Sequence, residues 1–327
     1  MEETLKIIVV NREATRLRRD KRIRERIHAQ FARDARVIDH DGRHHALAEL
    51  AEIARSDRID TIHVVGGDGT FNDVLSWIVT KPEAERPRLV SVGGGQFCYM
   101  ARYHGFRSSN PIRNLHGIFS GRTRLVEREW QPVRMTDSLS GETRHGALFA
   151  SGVISDIIEW YESVGKGGLL KVMRVVGGAI LSVMSERIRR AHGRIKLLKG
   201  ELTLGTRIVR PEHYAGFTFA NVPELVTSCR PFRGGVPRPY QFSAIAYWGG
   251  LKSLAAAAPL LWFGRRAPWI NGSMFNAPVH SASVTTADAR IVIDGDLVRL
   301  NGGRPGQQRT LTFTADETIP LLVVASN

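Results

Sequence analysis

Thr61–Trp77 reads TIHVVGGDGTFNDVLSW, and its centre, Gly66-Gly67-Asp68-Gly69-Thr70, decides how the first part of the chain folds. An apolar run of strand type precedes these five residues, and an apolar-periodic segment of helical type follows them. Glycines at a strand-to-helix junction let backbone N–H groups approach an anion, and the helix N-terminus adds partial positive charge. Asp68 is out of place in a bare anion cradle, because its carboxylate repels phosphate. It fits if Mg²⁺ accompanies the phosphates, or if a hydroxyl must be positioned or deprotonated there. A plain turn capped by Thr70 would need neither three glycines nor the carboxylate.

Working outward, periods alternate over the first 120 or so residues. LKIIVV (5–10), RVIDH (36–40), TIHVV (61–65) and PRLVSV (87–92) read as short buried strands. Residues 15–35, HALAELAEIARS (45–56), FNDVLSWIVT (71–80) and FCYMARYHG (97–105) read as helices. This alternation predicts an α/β unit with a parallel sheet, in which ligands sit beyond the carboxyl ends of the strands. From about Arg122 the chain turns to longer strand-like runs with Gly/Asp punctuation, as in an antiparallel β-sandwich. Two helical stretches, around 167–191 and 251–263, interrupt it. The expected division is 1–122 as the α/β unit and 123–327 as the sandwich with inserted helices.

The chain has 327 residues, enough for two domains, with 46 Lys+Arg against 32 Asp+Glu, a formal charge of +14. Such a basic excess points to polyanions: nucleic acid, an anionic membrane surface or phosphorylated substrates. Nucleic acid is disfavoured, because no zinc finger, RNP-type aromatic motif or homeodomain-like helix accompanies the charge. The arginine-rich stretch 12–36 keeps helical apolar spacing (Leu17, Ile23, Ile27, Phe31), so a solvated amphipathic face is its plainer reading. Cys98 and Cys229 are far apart and suit a reducing compartment. MEETLKIIVV lacks the features of a secretory signal, and no run of eighteen apolar residues occurs, so a cytoplasmic protein is expected. His40, His44 and His45 lack a second ligand pair, and a solvated loop is the simpler reading. The apolar stretch 167–190 and the region of Trp248, Trp262 and Trp269 are read first as core and second as membrane-docking surfaces.

VVGGDGTFNDV (64–74) resembles the signature of the diacylglycerol kinase catalytic family, which includes sphingosine and ceramide kinases. NAD kinases and phosphofructokinases share a related GGDG core. Other stretches resemble the family in order: KIIVVNREA (6–14), SVGGGQFCYMARYHG (91–105), FASGVISDIIEWYE (149–162), FTFANVPE (217–224) and IVIDGDLV (291–298). The resemblance implies an α/β nucleotide domain and a β-sandwich domain facing each other across a cleft. It implies a lipid kinase using ATP and Mg²⁺, peripherally membrane-associated, with a lipid substrate and an anionic membrane surface as partners. A homodimer is left open. Carried over by position, Asn11, Gly66, Gly67, Asp68, Gly69, Thr70, Gly95, Gln96 and Asp296 are implied to bind nucleotide. Asp294 is the implied general base, with Asp68 its competitor and the implied metal ligand. Asp294-Gly295 also reads as a type I′ hairpin turn.

The chain departs from the family pattern at Gln96, which stands for Thr, at Cys98 and Tyr99, which stand for Asn-Asp, and at Asp296, which stands for Glu. The loss of the Asn-Asp pair at Cys98 and Tyr99 touches the substrate class more than the ATP site. That loss points to a lipid other than diacylglycerol, such as a sphingoid base or ceramide, or to reduced activity. The expected activity is transfer to a sphingoid or ceramide-type lipid or to diacylglycerol; an NAD-kinase-like enzyme and a catalytically weak lipid- or nucleotide-binding module are the alternatives.

Overall fold

The computed structural model describes residues 5–41, 43–95, 98–165, 169–184, 195, 197–225, 229–233, 237–304 and 306–325. They form an α/β unit with a mostly parallel sheet and an antiparallel β unit, each with its own core.

In the first unit, β1 (Leu5–Asn11), β2 (Arg36–His40), β3 (Ile59–Gly66) and β4 (Arg88–Gly94) run parallel in the order β2-β1-β3-β4. Ile7, Ile8, Val9 and Val10 are wholly buried, as expected for a strand covered on both faces. The arginine-rich segment breaks into α1 (Thr15–Arg19) and α2 (Arg22–Phe31), not the single helix its spacing predicts. The break falls at Asp20, whose carboxylate accepts from the Arg22 amide at 3.1 Å. Short polar side chains compete with helical bonds in this way. Ile23, Ile27 and Phe31 turn inward, while Arg12 and Arg24 pair with Asp39. Of the three histidines at 40–45, His40 ends β2 and is buried, and α3 starts at Arg43 (Arg43–Ser56); the side chains of His44 and His45 lie outside the described residues.

The division of the chain differs from the expected 122/123. The first unit runs to Gln131 and takes back the segment from Glu317 onward. β5 (Leu125–Trp130) and β18 (Ile319–Val324) complete its sheet: β18 lies parallel to β4, and β5 pairs antiparallel with β18. RTLTFTADETIPLLVVA therefore holds two strands of different sheets, β17 (Arg309–Thr314) and β18. Arg86 anchors the junction between them, donating to Glu317 at 2.6 Å and to the Thr318 carbonyl at 2.7 Å. Covering the open edge of β4 with Ile319, Leu321 and Leu322 buries apolar surface that no local sequence period reports.

The second unit has two six-stranded sheets. One has the order β10-β9-β14-β17-β6-β7, from β6 (Val133–Asp137), β7 (Thr143–Gly146), β9 (Leu202–Leu204), β10 (Arg207–Val209), β14 (Ser281–Thr286) and β17. The other has the order β13-β12-β11-β8-β15-β16, from β8 (Leu148–Gly152), β11 (Gly216–Ala220), β12 (Phe242–Tyr247), β13 (Met274–Val279), β15 (Arg290–Ile293) and β16 (Asp296–Arg299). One core joins Met135, Leu202, Val284, Leu311 and Phe313 of the first sheet to Phe149, Phe217, Phe219, Phe242 and Ile291 of the second. Edge-to-face aromatic contacts run through it, as between Phe219 and Phe313 at 4.7 Å. Arg309 and Asp137, both fully buried, pair at 2.9 Å in the first of these sheets. The helices α7 (Val153–Ser163), α8 (Leu169–Met184) and Leu251–Trp262 belong to this unit.

Two buried histidines make the first unit sensitive to acid. His104 donates from Nδ1 to the Leu322 carbonyl of β18 at 2.7 Å, while its Nε2 is buried without a partner. His63 packs against the Ile7 carbonyl of β1. Desolvation pushes both down to about 4. The unfolded chain takes up these protons near pH 6.5 and the folded unit does not, so stability is full above that value. Between pH 6.5 and 4 each histidine then lowers stability by about 1.4 kcal/mol per pH unit. Thermal melting should fall steadily over that window, and less steeply in His104→Gln, which keeps a donor but cannot titrate. Parallel curves for the two proteins would refute the role of His104.

Candidate nucleotide site

β3 ends at Gly66 and α4 (Asp68–Ile78) begins two residues later, with Gly67 between them in an extended conformation (φ −88°, ψ −178°). The first N–H groups of such a helix have no partner within it and face outward from the strand end. Phe71, Val74, Leu75 and Ile78 pin the helix to the core, so the position of its N-terminus is set by packing. β4 delivers a second glycine segment beside it. Gly93 and Gly94 take φ of +93° and +126°, which disfavour any side chain, and the β3–β4 register shifts at Val64/Val65.

The two segments touch backbone to backbone. The Gly95 amide donates to the Gly66 carbonyl at 2.9 Å. A Cβ on Gly95 would lie 2.4 Å from the Gly67 Cα, and one on Gly66 would lie 2.6 Å from Thr70 Cβ. A Cβ on Gly67 would meet only ordinary contact, at 3.7 Å. Gly66 and Gly95 are thus required by packing, which leaves Gly67 as the residue whose bareness serves only what approaches from outside.

Side chains then lock the loops. Asn11, at the end of β1, donates from Nδ2 to Thr70 Oγ1 at 2.7 Å, and its Oδ1 accepts from the Glu13 amide at 2.9 Å. The Asp68 carboxylate accepts from the amides of Met100 (3.0 Å) and Tyr99 (3.3 Å), the first residues of α5 (Tyr99–Tyr103). Cys98 enters that helix in the left-handed region at φ +48°. Asp68 therefore does the work of an N-cap for a helix that follows the other glycine segment. Burial first, and then the charge of Asp68, pushes the Cys98 thiol above its ordinary value; the Arg16 charge opposes this.

Arg16 was missed by sequence reasoning. It donates to Ser109 Oγ at 2.7 Å, and Leu17 beside it lies over Gly94, where an added Cβ would be 3.0 Å from Leu17 Cδ1. The only sequence signal was an arginine in the first turn after β1, inside a stretch dense with arginines.

The structure therefore brings Asn11, Gly66, Gly67, Asp68, Thr70 and Gly95 together, with Gly69 in the first turn of α4; Gln96 lies outside the described residues. The donors suit a phosphate-bearing nucleotide: backbone N–H groups, a helix N-terminus and a nearby arginine. For a cation they offer one carboxylate, already accepting two amides, and no group of three His, Cys, Asp or Glu that could hold a metal occurs among the described residues. A Mg²⁺ there would rely mainly on phosphate oxygens and water, as that ion commonly does.

Asp294 and Asp296 belong to the second unit. Asp294-Gly295 forms the two-residue turn between β15 and β16, with φ of +52° and +93°, as in a type I′ turn. The turn reading holds, and the carboxylate of the same residue is buried. Asp294 is 6% exposed, and its Oδ1 accepts from the amides of Leu148 (2.9 Å) and Ala147 (3.0 Å). Asp296 opens β16 and is exposed. Four residues before the turn, Arg290 binds Asp156 and Glu159 of α7 at 2.8 Å each and Asp288 at 2.9 Å. The Asp288 hydrogen bond is the main cause of its raised pKa. This network ties α7 to the strand that carries Asp294, and the sequence showed only its scattered members.

The steric argument separates two neighbouring glycines. Gly95→Ala should cost about 1–3 kcal/mol of stability, as overpacking against backbone does, and Gly67→Ala should cost well under that. Calorimetric melting of the two variants checks this, and equal losses would show that the loops do not touch as described.

Among solved structures, the chain is similar to three from Bacillus anthracis str. Sterne. A protein provisionally assigned as a diacylglycerol kinase superposes with a TM-score of 0.66 at 13% identity, over 99% of this chain and 96% of that one. A second such protein gives 0.64 at 14% identity over 98% and 97%, and a structure described as a diacylglycerol kinase gives 0.59 at 12% over 98% and 97%. At such identities the likeness shows the fold. No curated protein matches by sequence. Residues 6–128, which hold both glycine segments, Asn11 and Asp68, match the family model of the diacylglycerol kinase catalytic domain.

Proposed function

We propose that the chain is an ATP-dependent lipid kinase that transfers the γ-phosphoryl group to a hydroxyl of a sphingoid or ceramide-type lipid, or of diacylglycerol. The observation that carries this reading is the pair of glycine segments locked by Asn11, Thr70 and Asp68, within a stretch that matches a lipid kinase catalytic domain. Phosphates of ATP rest on the first turn of α4, with Arg16 adding positive charge. Mg²⁺ arriving with the nucleotide supplies neutralisation of the charge that develops on the transferred group. Asp294 takes the proton of the lipid hydroxyl, its carboxylate oriented by the Ala147 and Leu148 amides. Asp68 is the competing base; its two accepted amides favour a positioning role, holding the start of α5.

The reading includes a cytoplasmic enzyme that meets its substrate at an anionic membrane surface. Among the described residues no helix is long and apolar enough to cross a membrane. One observation favours a second reading, a catalytically weak binding module. Cys98 and Tyr99 are buried and offer no carboxylate where the family pattern has Asn-Asp.

Incubation with labelled ATP, Mg²⁺ and a lipid panel, beside NAD, tests the proposal. Label in a lipid supports it, label in NAD alone overturns it, and no transfer with intact ATP binding favours the binding module. Asp294→Asn should cut turnover by roughly 10²–10⁴, the usual worth of a general base, with ATP affinity unchanged. Near-normal turnover would remove Asp294 from that role. Asp68→Ala should lose transfer together with ATP affinity, because it releases the second glycine segment.

A further inference from the structure

The corner after the helix Leu251–Trp262 exposes large aromatic side chains. Phe263 is 71% exposed and Trp269 57% exposed, among the most exposed large apolar residues described. Between them stand Arg265 and Arg266, both exposed, and no described acidic side chain pairs with either. The corner is rigid. The Arg265 amide donates to the Leu260 carbonyl at 2.8 Å and the Gly264 amide to the Leu261 carbonyl at 3.0 Å, with Gly264 at φ +68°. This is a Schellman termination, which fixes the chain direction after the helix. Ala267 and Ile270 then drop into a core with Ala257 and Met274, so Pro268 and Trp269 are held outward on a short 3₁₀ turn.

Charge distinguishes this corner from ordinary exposed aromatics. From Leu225 to Ala287 the chain has no Asp or Glu, yet it carries Arg230, Arg233, Arg238, Lys252, Arg265 and Arg266. Arg230, whose amide donates to the Trp262 carbonyl, is balanced by Glu224. Arg265 gains from the helix C-terminus beside it; Arg266, beyond the turn, has no such partner. The protein leaves aromatic rings and uncompensated guanidinium groups on one short rigid turn. Rings with cations beside them suit the headgroup layer of a bilayer, where the apolar faces enter and the charges meet anionic lipid. A second copy of the chain fits poorly, because the same corner would bring like charges together.

We propose that Phe263–Trp269 is the segment by which this protein docks on an anionic lipid bilayer. The reason for docking rests on the lipid kinase reading, but the docking itself is measured without turnover. The full chain is floated with vesicles of phosphatidylcholine, alone or rich in phosphatidylglycerol. The wild type should bind the anionic vesicles much more tightly. Arg265→Gln with Arg266→Gln should weaken that binding about twenty-five-fold, taking about fivefold for each cation near the surface. Phe263→Ser with Trp269→Ser should weaken it at least as much and keep the preference for anionic lipid. Both variants should melt like the wild type, because the altered side chains are exposed. Unchanged binding by both variants, or no wild-type binding to either vesicle, overturns the docking segment. With a short-chain acceptor below its micellar concentration both variants should turn over normally; equal losses there overturn it too, placing the corner in the substrate site. Vesicle binding that depends on these residues, without phosphorylation of any lipid, sinks the kinase reading and leaves the docking segment standing.

Discussion

Where Gly67 and Gly95 pass each other, a single methyl group would sit 2.4 Å from opposing backbone. The two strand ends can come this close only if Gly95 carries no side chain, and the arrangement of the first unit follows from that. β3 must stop at Gly66 so that α4 can start with its N–H groups clear of the sheet. β4 must end in glycines of positive φ to turn alongside. Asn11 reaches across from β1 because Thr70 has been brought to it by the same turn. A strand end, two loops and a helix terminus are thereby held as one backbone surface, which suits phosphate better than flexible side chains could.

Asp68 and Asp294 each accept from two backbone amides, and both spend lone pairs on geometry. Asp68 holds the start of α5, and Asp294 holds the turn between β15 and β16 against Ala147 and Leu148. A carboxylate has about four acceptor sites, so two amides orient it without exhausting it. This is why a turn residue and a reactive residue need not be alternatives at Asp294. It is also why Asp68 carries a structural duty whatever else it does.

Much of this was legible in the residues. The alternation of apolar runs with helical periods locates β1 to β4 and α3 within a residue or two and α4 within three, because each element buries its own periodic face. GGDGT is readable for the same reason: glycine, aspartate and threonine at a strand-to-helix junction each have few local explanations. The arginine-rich segment misled by one helix, since Asp20 breaks it through a side-chain hydrogen bond that competes with the helical ladder. Arg16 was hidden among its neighbours, because its meaning lies in reaching Ser109, ninety-three residues away.

The chain by itself determined the class of fold, the glycine loop and the type of ligand chemistry that loop can support. These depend on local period and on the few conformations glycine allows. Only the tertiary structure decided that β18 returns to the first sheet, that Asp68 caps a helix thirty-one residues on, and that Phe263 and Trp269 face water. Each of these is a pairing between distant segments or the absence of one. Burial is settled by what the rest of the chain covers, and no window of sequence contains that information.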